Sequence, residues 1–187
     1  IVHNNMGELF LIQGRLEEAV EHLQKVVETY EQVGNPIAAA GLALVNLSRA
    51  YQRQQGYKRA LECLEKGTGL LRKAGERGML IEAFLQQAEL ALEEGQVETA
   101  LRSCQRVLKE AHDMGLKLYE ARGLRILGRI AAVQGHYDQA EASLRQSVDL
   151  AQGAGAQYEK AFPSCIFLNC TAVMHQEPAP AGDASRP

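Results

Sequence analysis

The stretch GHYDQAEASL, residues 135–144, decides how this chain is read. Taken alone, its His136-Tyr137-Asp138 run sets an imidazole, a phenol and a carboxylate side by side, the groups of acid–base chemistry. Three earlier stretches align with it: GRLEEAVEHL at 14–23, QGYKRALECL at 55–64 and GQVETALRSC at 95–104. The central small residue is Ala19, Ala60, Ala100 and Ala140, at spacings of 41, 40 and 40 residues. A fixed period of this length marks a stacked array of helical units. In the alignment Tyr137 takes the place of Leu16, Tyr57 and Val97, a packing slot at the start of a helix. His136 stands where Arg15 and Gln96 stand, and Asp138 where Glu17, Lys58 and Glu98 stand, both variable polar sites. The trio is therefore assigned to a helix start and not to catalysis.

Other series keep the same phase. Twelve residues before each alanine lies Gly7, Ser48, Ala88 or Gly128. Gly14, Gly56, Gly95 and Gly135 precede the second helix of each unit, Gly56 one place late with Gln55 in its slot. Gly34, Gly75, Gly115 and Gly155 close the units. Glycine just past a helix end takes the left-handed conformation that satisfies the last carbonyls. Two such series mean two helices per unit. First helices are expected near 1–13, 36–54, 77–94 and 117–134, and second helices near 16–33, 57–73, 97–113 and 137–152. Asn35-Pro36 reads as an N-cap with proline in the first helical position. The small series lets paired helices approach closely, with Leu64 and Leu144 among the residues filling the remaining volume.

The totals agree. The 187 residues are 46% hydrophobic and 23% charged, with no Trp. Helix-favouring Ala, Leu, Glu, Gln and Arg dominate, so the class is all-α. A net charge of −3 gives no general pull toward nucleic acid or an anionic membrane. No apolar run approaches the roughly 20 residues that span a bilayer. No secretory signal is visible, and Cys63, Cys104, Cys165 and Cys170 match no zinc-ligand spacing, so a cytoplasmic chain with reduced thiols is expected. The five histidines form no metal pattern, and Gly67-Thr68-Gly69 lacks the lysine of a phosphate loop. Neither enzyme activity nor a cofactor is expected.

The pattern resembles the tetratricopeptide repeat. The family's small–aromatic–Gly–aromatic–Ala spacing is carried by Gly7, Phe10, Gly14, Leu16 and Ala19, and by Ser48, Tyr51, Tyr57 and Ala60. The third unit (Ala88, Ala91, Gly95, Val97, Ala100) and the fourth (Gly128, Ala131, Gly135, Tyr137, Ala140) have alanine where an aromatic is common. The 40-residue period resembles the longer variety found in sensor arms of bacterial signalling ATPases and LuxR-type activators. The resemblance implies a right-handed superhelical α-solenoid of about four repeats, at 1–35, 36–75, 76–115 and 116–155. Beyond it, 156–175 is read as a partial capping helix broken at Pro163, and 176–187 as a disordered tail.

The resemblance also implies that first helices line a concave groove holding a peptide or partner segment. Two residues before the small slot lie Asn5, Asn46, Gln86 and Ile126, three carboxamides able to form a ladder along a ligand backbone. One turn on lie Glu8, Arg49, Glu89 and Arg129, joined on the groove side by Arg53, Glu82, Arg122 and Arg125. An acidic row thus lies beside a basic one. The two rows either pair with each other across adjacent helices or read charged side chains of a peptide, and both can hold. The two-carboxylate clamp of chaperone-tail-binding relatives is rejected, because Glu8 and Glu82 stand where it needs neutral or basic groups. The expected function is a non-catalytic peptide- or protein-binding module, the recognition or sensor part of a larger bacterial regulatory protein. The alternative is a scaffold that self-associates through its repeat ends, a possible homo-oligomer.

Overall fold

A computed structural model describes residues 2–153 of the chain. Those residues form helices joined by short turns, with no strand among them. The order is α1 (Val2–Ile12), α2 (Leu16–Val33), α3 (Ile37–Arg53), α4 (Tyr57–Ala74), α5 (Arg77–Glu93), α6 (Val97–Asp113), α7 (Lys117–Val133) and α8 (Tyr137–Gly153). The expected capping helix and tail lie outside the described residues.

The turns follow the glycine series, with one informative exception. Gly14, Gly95 and Gly135 have φ of 75°, 73° and 79°. In the second unit it is Gln55, at φ 60°, that takes the left-handed conformation, while Gly56 caps α4 at φ −85°. The backbone geometry belongs to the slot, and the displaced glycine does not carry it along. A second departure lies at the start of α3. Pro36 occupies the cap and the helix begins at Ile37, so Asn35 stands outside it and caps nothing. Tyr137 also differs from expectation, because its side chain is exposed and not packed. Burial at this slot falls with side-chain length: Leu16 and Val97 are half-buried, and Tyr57 is exposed like Tyr137. The slot sits at the rim of the helix pair, where a long ring projects into solvent.

Small residues set the spacing within each pair. Ala19, Ala60 and Ala100 are fully buried and Ala140 nearly so. A Cβ on Gly7 would lie 2.5 Å from Leu23 Cγ, and one on Gly128 would lie 2.8 Å from Leu144 Cγ. The first helix therefore gives up a side chain so that a leucine of the second can enter. At Gly67 the approach is backbone on backbone, since its Cβ would meet the Gly41 carbonyl oxygen at 2.8 Å. The Gly67-Thr68-Gly69 run is thus the interior of α4, pressed against α3. In the third and fourth units Cys104 Sγ donates to the Gly123 carbonyl at 3.0 Å, and burial pushes this thiol up to about 12.

Each helix packs on its neighbours in sequence. In addition α1 touches α3, α3 touches α5 and α5 touches α7, whereas the even-numbered helices do not touch one another. The odd row is therefore the close-packed inner row, and the even row is splayed, with clefts between its members. No described helix is long and apolar enough to cross a membrane.

Three substitutions check this geometry by urea denaturation. Gly67→Ala should cost about 2 kcal/mol, because the added methyl meets backbone that cannot swing away. Gly69→Ala, with nothing within 4 Å of the new Cβ, should add about 0.5–1 kcal/mol. Gln55→Gly should add roughly 1 kcal/mol by relieving the left-handed backbone of a residue with a Cβ.

Candidate partner-binding face

Helical periodicity places the charged residues of the inner row on one side of α3, α5 and α7. Residues three or four apart share a helix face, so Asn46, Arg49 and Arg53 align on α3, Glu82, Gln86, Glu89 and Glu93 on α5, and Arg122, Arg125 and Arg129 on α7. The structure joins these rows. Glu82 receives Arg49 from α3 and Arg122 from α7, the latter through two bonds of 2.6 and 3.0 Å. Arg49 also donates to Asn46 Oδ1 at 3.2 Å. One turn on, Arg125 Nη2 donates to Glu89 Oε1 at 3.2 Å. Pairing across adjacent helices is thus realised for these five residues.

Glu82 is the hub, with its side chain only 14% exposed. Burial opposes its ionisation, but the guanidinium groups of Arg49 and Arg122 and their hydrogen bonds override that cost and hold the carboxyl well below the usual carboxylate range. Arg122 feels the same balance from the other side: burial works against its charge, and Glu82 raises its pKa above the ordinary value nonetheless. Tyr119, one turn before Arg122, lies against the same carboxylate. Burial first, and then the charge of Glu82, push its phenol up to about 12. Sequence reasoning missed Tyr119, although its spacing of three from Arg122 was a signal available in the chain.

The carboxamide ladder takes a different form from the one expected. Asn46 is 1% exposed and Gln86 fully buried. Gln86 Nε2 donates to Gln52 Oε1 at 2.6 Å and contacts Ser48 Oγ at 3.3 Å, so this amide stitches α5 to α3. In the next unit Ile126 is fully buried, in the same apolar cluster as Ala88 and Leu92. The position lies between successive first helices, which is why an amide and an aliphatic side chain can each fill it and why neither buried amide is offered to a ligand.

The remaining residues stay at the surface. Asn5 and Glu8 are exposed on α1, and Arg53 donates to the Leu11 carbonyl at the end of α1. Arg129 is half-buried and makes no ion pair among the described residues. Arg122, Arg125 and Arg129 line up on α7, so that side of the face carries the basic residues. His3 and His22 come together beside Phe10, with Nδ1 atoms 3.1 Å apart. No group of three or more potential metal ligands exists among the described residues.

The Glu82 hub has a testable signature. Glu82→Ala strands two partly buried guanidinium groups and should cost about 3 kcal/mol at pH 7. Glu82→Gln reads the ionisation itself. A depressed folded pKa stabilises the protein above the unfolded value of 4.5, and that gain is lost as pH falls below it. The stability difference between wild type and Glu82→Gln should therefore shrink by about 2 kcal/mol between pH 7 and pH 3, read from urea midpoints.

Comparison with known proteins adds to this geometry. Family models described as tetratricopeptide repeat match residues 1–73, 82–111 and 121–146. No curated protein matches the chain. Among solved structures, the apo form of RapI is similar with a TM-score of 0.72 at 10% identity, over 92% of this chain and 67% of that one. A signal transduction ATPase with numerous domains and a tetratricopeptide repeat sensor, from Pyrococcus horikoshii, has a TM-score of 0.71 at 14% identity, over 92% of this chain and 26% of that one. BtubC (BKLC) from P. vanneervenii has a TM-score of 0.67 at 13% identity, over 100% of this chain and 68% of that one. At such identities the likeness shows the fold. Repeats of this kind are in general non-catalytic and bind protein partners, which fits an interaction or sensor module. With its paired helices, its small-residue slots and these matches along its length, the chain belongs to the tetratricopeptide repeat family.

Proposed function

We propose that this chain is a non-catalytic recognition module whose inner helix row holds a segment of a partner polypeptide in a concave groove. In this reading it serves as the recognition or sensor part of a larger bacterial regulatory protein in the cytoplasm; the sensor role is supported by the likeness to an ATPase with a repeat sensor. The observation that carries the reading is the ion network of Arg49, Glu82 and Arg122. It spans three successive first helices and holds long side chains in fixed positions before any ligand arrives. Side chains already ordered lose little further entropy on binding. The excess of arginine toward α7 favours an acidic residue in the ligand, since guanidinium captures carboxylate through paired hydrogen bonds. Asn5, Glu8 and Arg53 extend the same face toward α1.

A second reading rests on a different observation. Val2, Asn5 and Leu9 are exposed on α1, while the residues in register with them on α3 (Ala43, Asn46 and Ala50) are buried against the preceding unit. This exposed α1 face suits self-association of the array.

Peptide-library selection tests the first reading. Enrichment of Asp- and Glu-containing peptides is expected, with binding that weakens as salt rises and falls roughly tenfold in Arg129→Glu. A selection with no acidic preference, or one that Arg129→Glu leaves unchanged, sinks it. Light scattering tests the second: mass should rise with concentration in wild type and not in Leu9→Glu, and a concentration-independent monomer refutes it.

A further inference from the structure

The second and third units differ at one slot of the outer surface. In the second, Tyr51 on α3 fills the space between α2 and α4. Gln24 Nε2 donates to its hydroxyl at 3.2 Å, and the Arg59 guanidinium lies 5.8 Å from the ring centroid. The ring packs against the cores on both sides of it. One period later the slot holds Ala91. Between α4 and α6, which do not touch, lies a cleft of about 300 Å³ lined by Leu61, Leu64, Glu65, Leu90, Ala91 and Thr99 among others.

The walls of this cleft are, in register, the walls that hold Tyr51. Leu61 stands where Val20 stands, Leu64 where Leu23 does, Glu65 where Gln24 does, and Thr99 where Arg59 does. The cleft is thus the tyrosine site of the second unit without its tyrosine. The fourth unit also has alanine in the slot, at Ala131. There, however, Leu108 and Leu127 pack into the core at the places where the cleft has Thr68 and Gln87.

We propose that the cleft between α4 and α6 is a binding site for a phenol ring, the side chain of a tyrosine presented by a partner polypeptide. The apolar floor suits the ring faces, and the volume, at the low end of ligand sites, has room for a ring and the chain that carries it. Glu65 makes no ion pair among the described residues and carries only acceptors, so it accepts a hydrogen bond from the hydroxyl where Gln24 donates one to the hydroxyl oxygen. A polypeptide source is favoured by the charges at the rim. Arg72 and Glu94, both lining the cleft and neither in an ion pair among the described residues, flank the ring site and suit the polar main chain on either side of a tyrosine. The site lies on the outer row, away from the inner-row arginines, and does not rest on the function proposed above.

Methyl NMR with 4-methylphenol and toluene as probes tests the site. Saturable shifts are expected at Leu61, Leu64 and Leu90 with 4-methylphenol. Glu65→Ala should weaken 4-methylphenol roughly tenfold while moving toluene little, the difference being the hydrogen bond to a charged acceptor. Ala91→Tyr rebuilds the second unit's arrangement and should raise Tm and abolish both probes' binding, and Ala91→Leu serves if the tyrosine variant fails to fold. The tripeptide acetyl-Gly-Tyr-Gly-amide should bind at least as tightly as 4-methylphenol and add shifts at Arg72, whereas the alanine tripeptide should not bind. No saturable shift at millimolar 4-methylphenol, or shifts that survive filling of the slot, overturn the site. Binding of 4-methylphenol without binding of the tyrosine tripeptide overturns the polypeptide source.

Discussion

The close approach of paired helices is the constraint on which the rest of this molecule depends. A leucine of the second helix enters where the first helix has no side chain or a very small one, as Leu23 does over Gly7 and Leu144 over Gly128. That depth of contact fixes the spacing of each pair and so the angle at which the next unit is received. Repetition then brings the odd-numbered helices into one row. Every longer-range feature, from the Gln86 stitch to the Glu82 hub, exists because first helices of successive units lie within side-chain reach of each other.

A repeat makes function readable as departure from the pattern. Slots that recur without change, such as Ala19, Ala60, Ala100 and Ala140, carry packing. Slots that vary show what each unit adds. Gln86 and Ile126 occupy one slot with opposite chemistry and serve the same mechanical end, because a buried amide with partners and a buried aliphatic chain both fill it. Tyr51 and Ala91 occupy another slot, and there the change opens space instead of conserving it. Gln55 retains a left-handed backbone although its glycine has moved one place along.

Much of the inner face was legible before any coordinates. The acidic row of Glu82 and Glu89 and the basic row of Arg122, Arg125 and Arg129 follow from helical periodicity and the repeat register. Their pairing was one of two open readings, because periodicity ranks residues by face but does not say how far one face stands from the next. The fate of Asn46 and Gln86 was less legible. A carboxamide near the groove edge serves equally as a ligand contact or as an internal stitch, and a displacement of a few ångströms decides between them. Tyr137 illustrates the same limit, since a packing slot at a helix-pair rim half-buries leucine and leaves a longer ring outside.

The sequence by itself determined the repeat: its period, its helix pairs, its small-residue slots and the family to which it belongs. These are local or periodic properties, set by which backbone conformations glycine permits and by which residues recur at helical spacing. Only the tertiary structure decided that Glu82 gathers arginines from both neighbouring units, that two amides are sealed between helices, and that an alanine in the third unit leaves a cleft. Those outcomes depend on distances between units that are far apart in the chain, and such distances arise from packing and are written in no single segment.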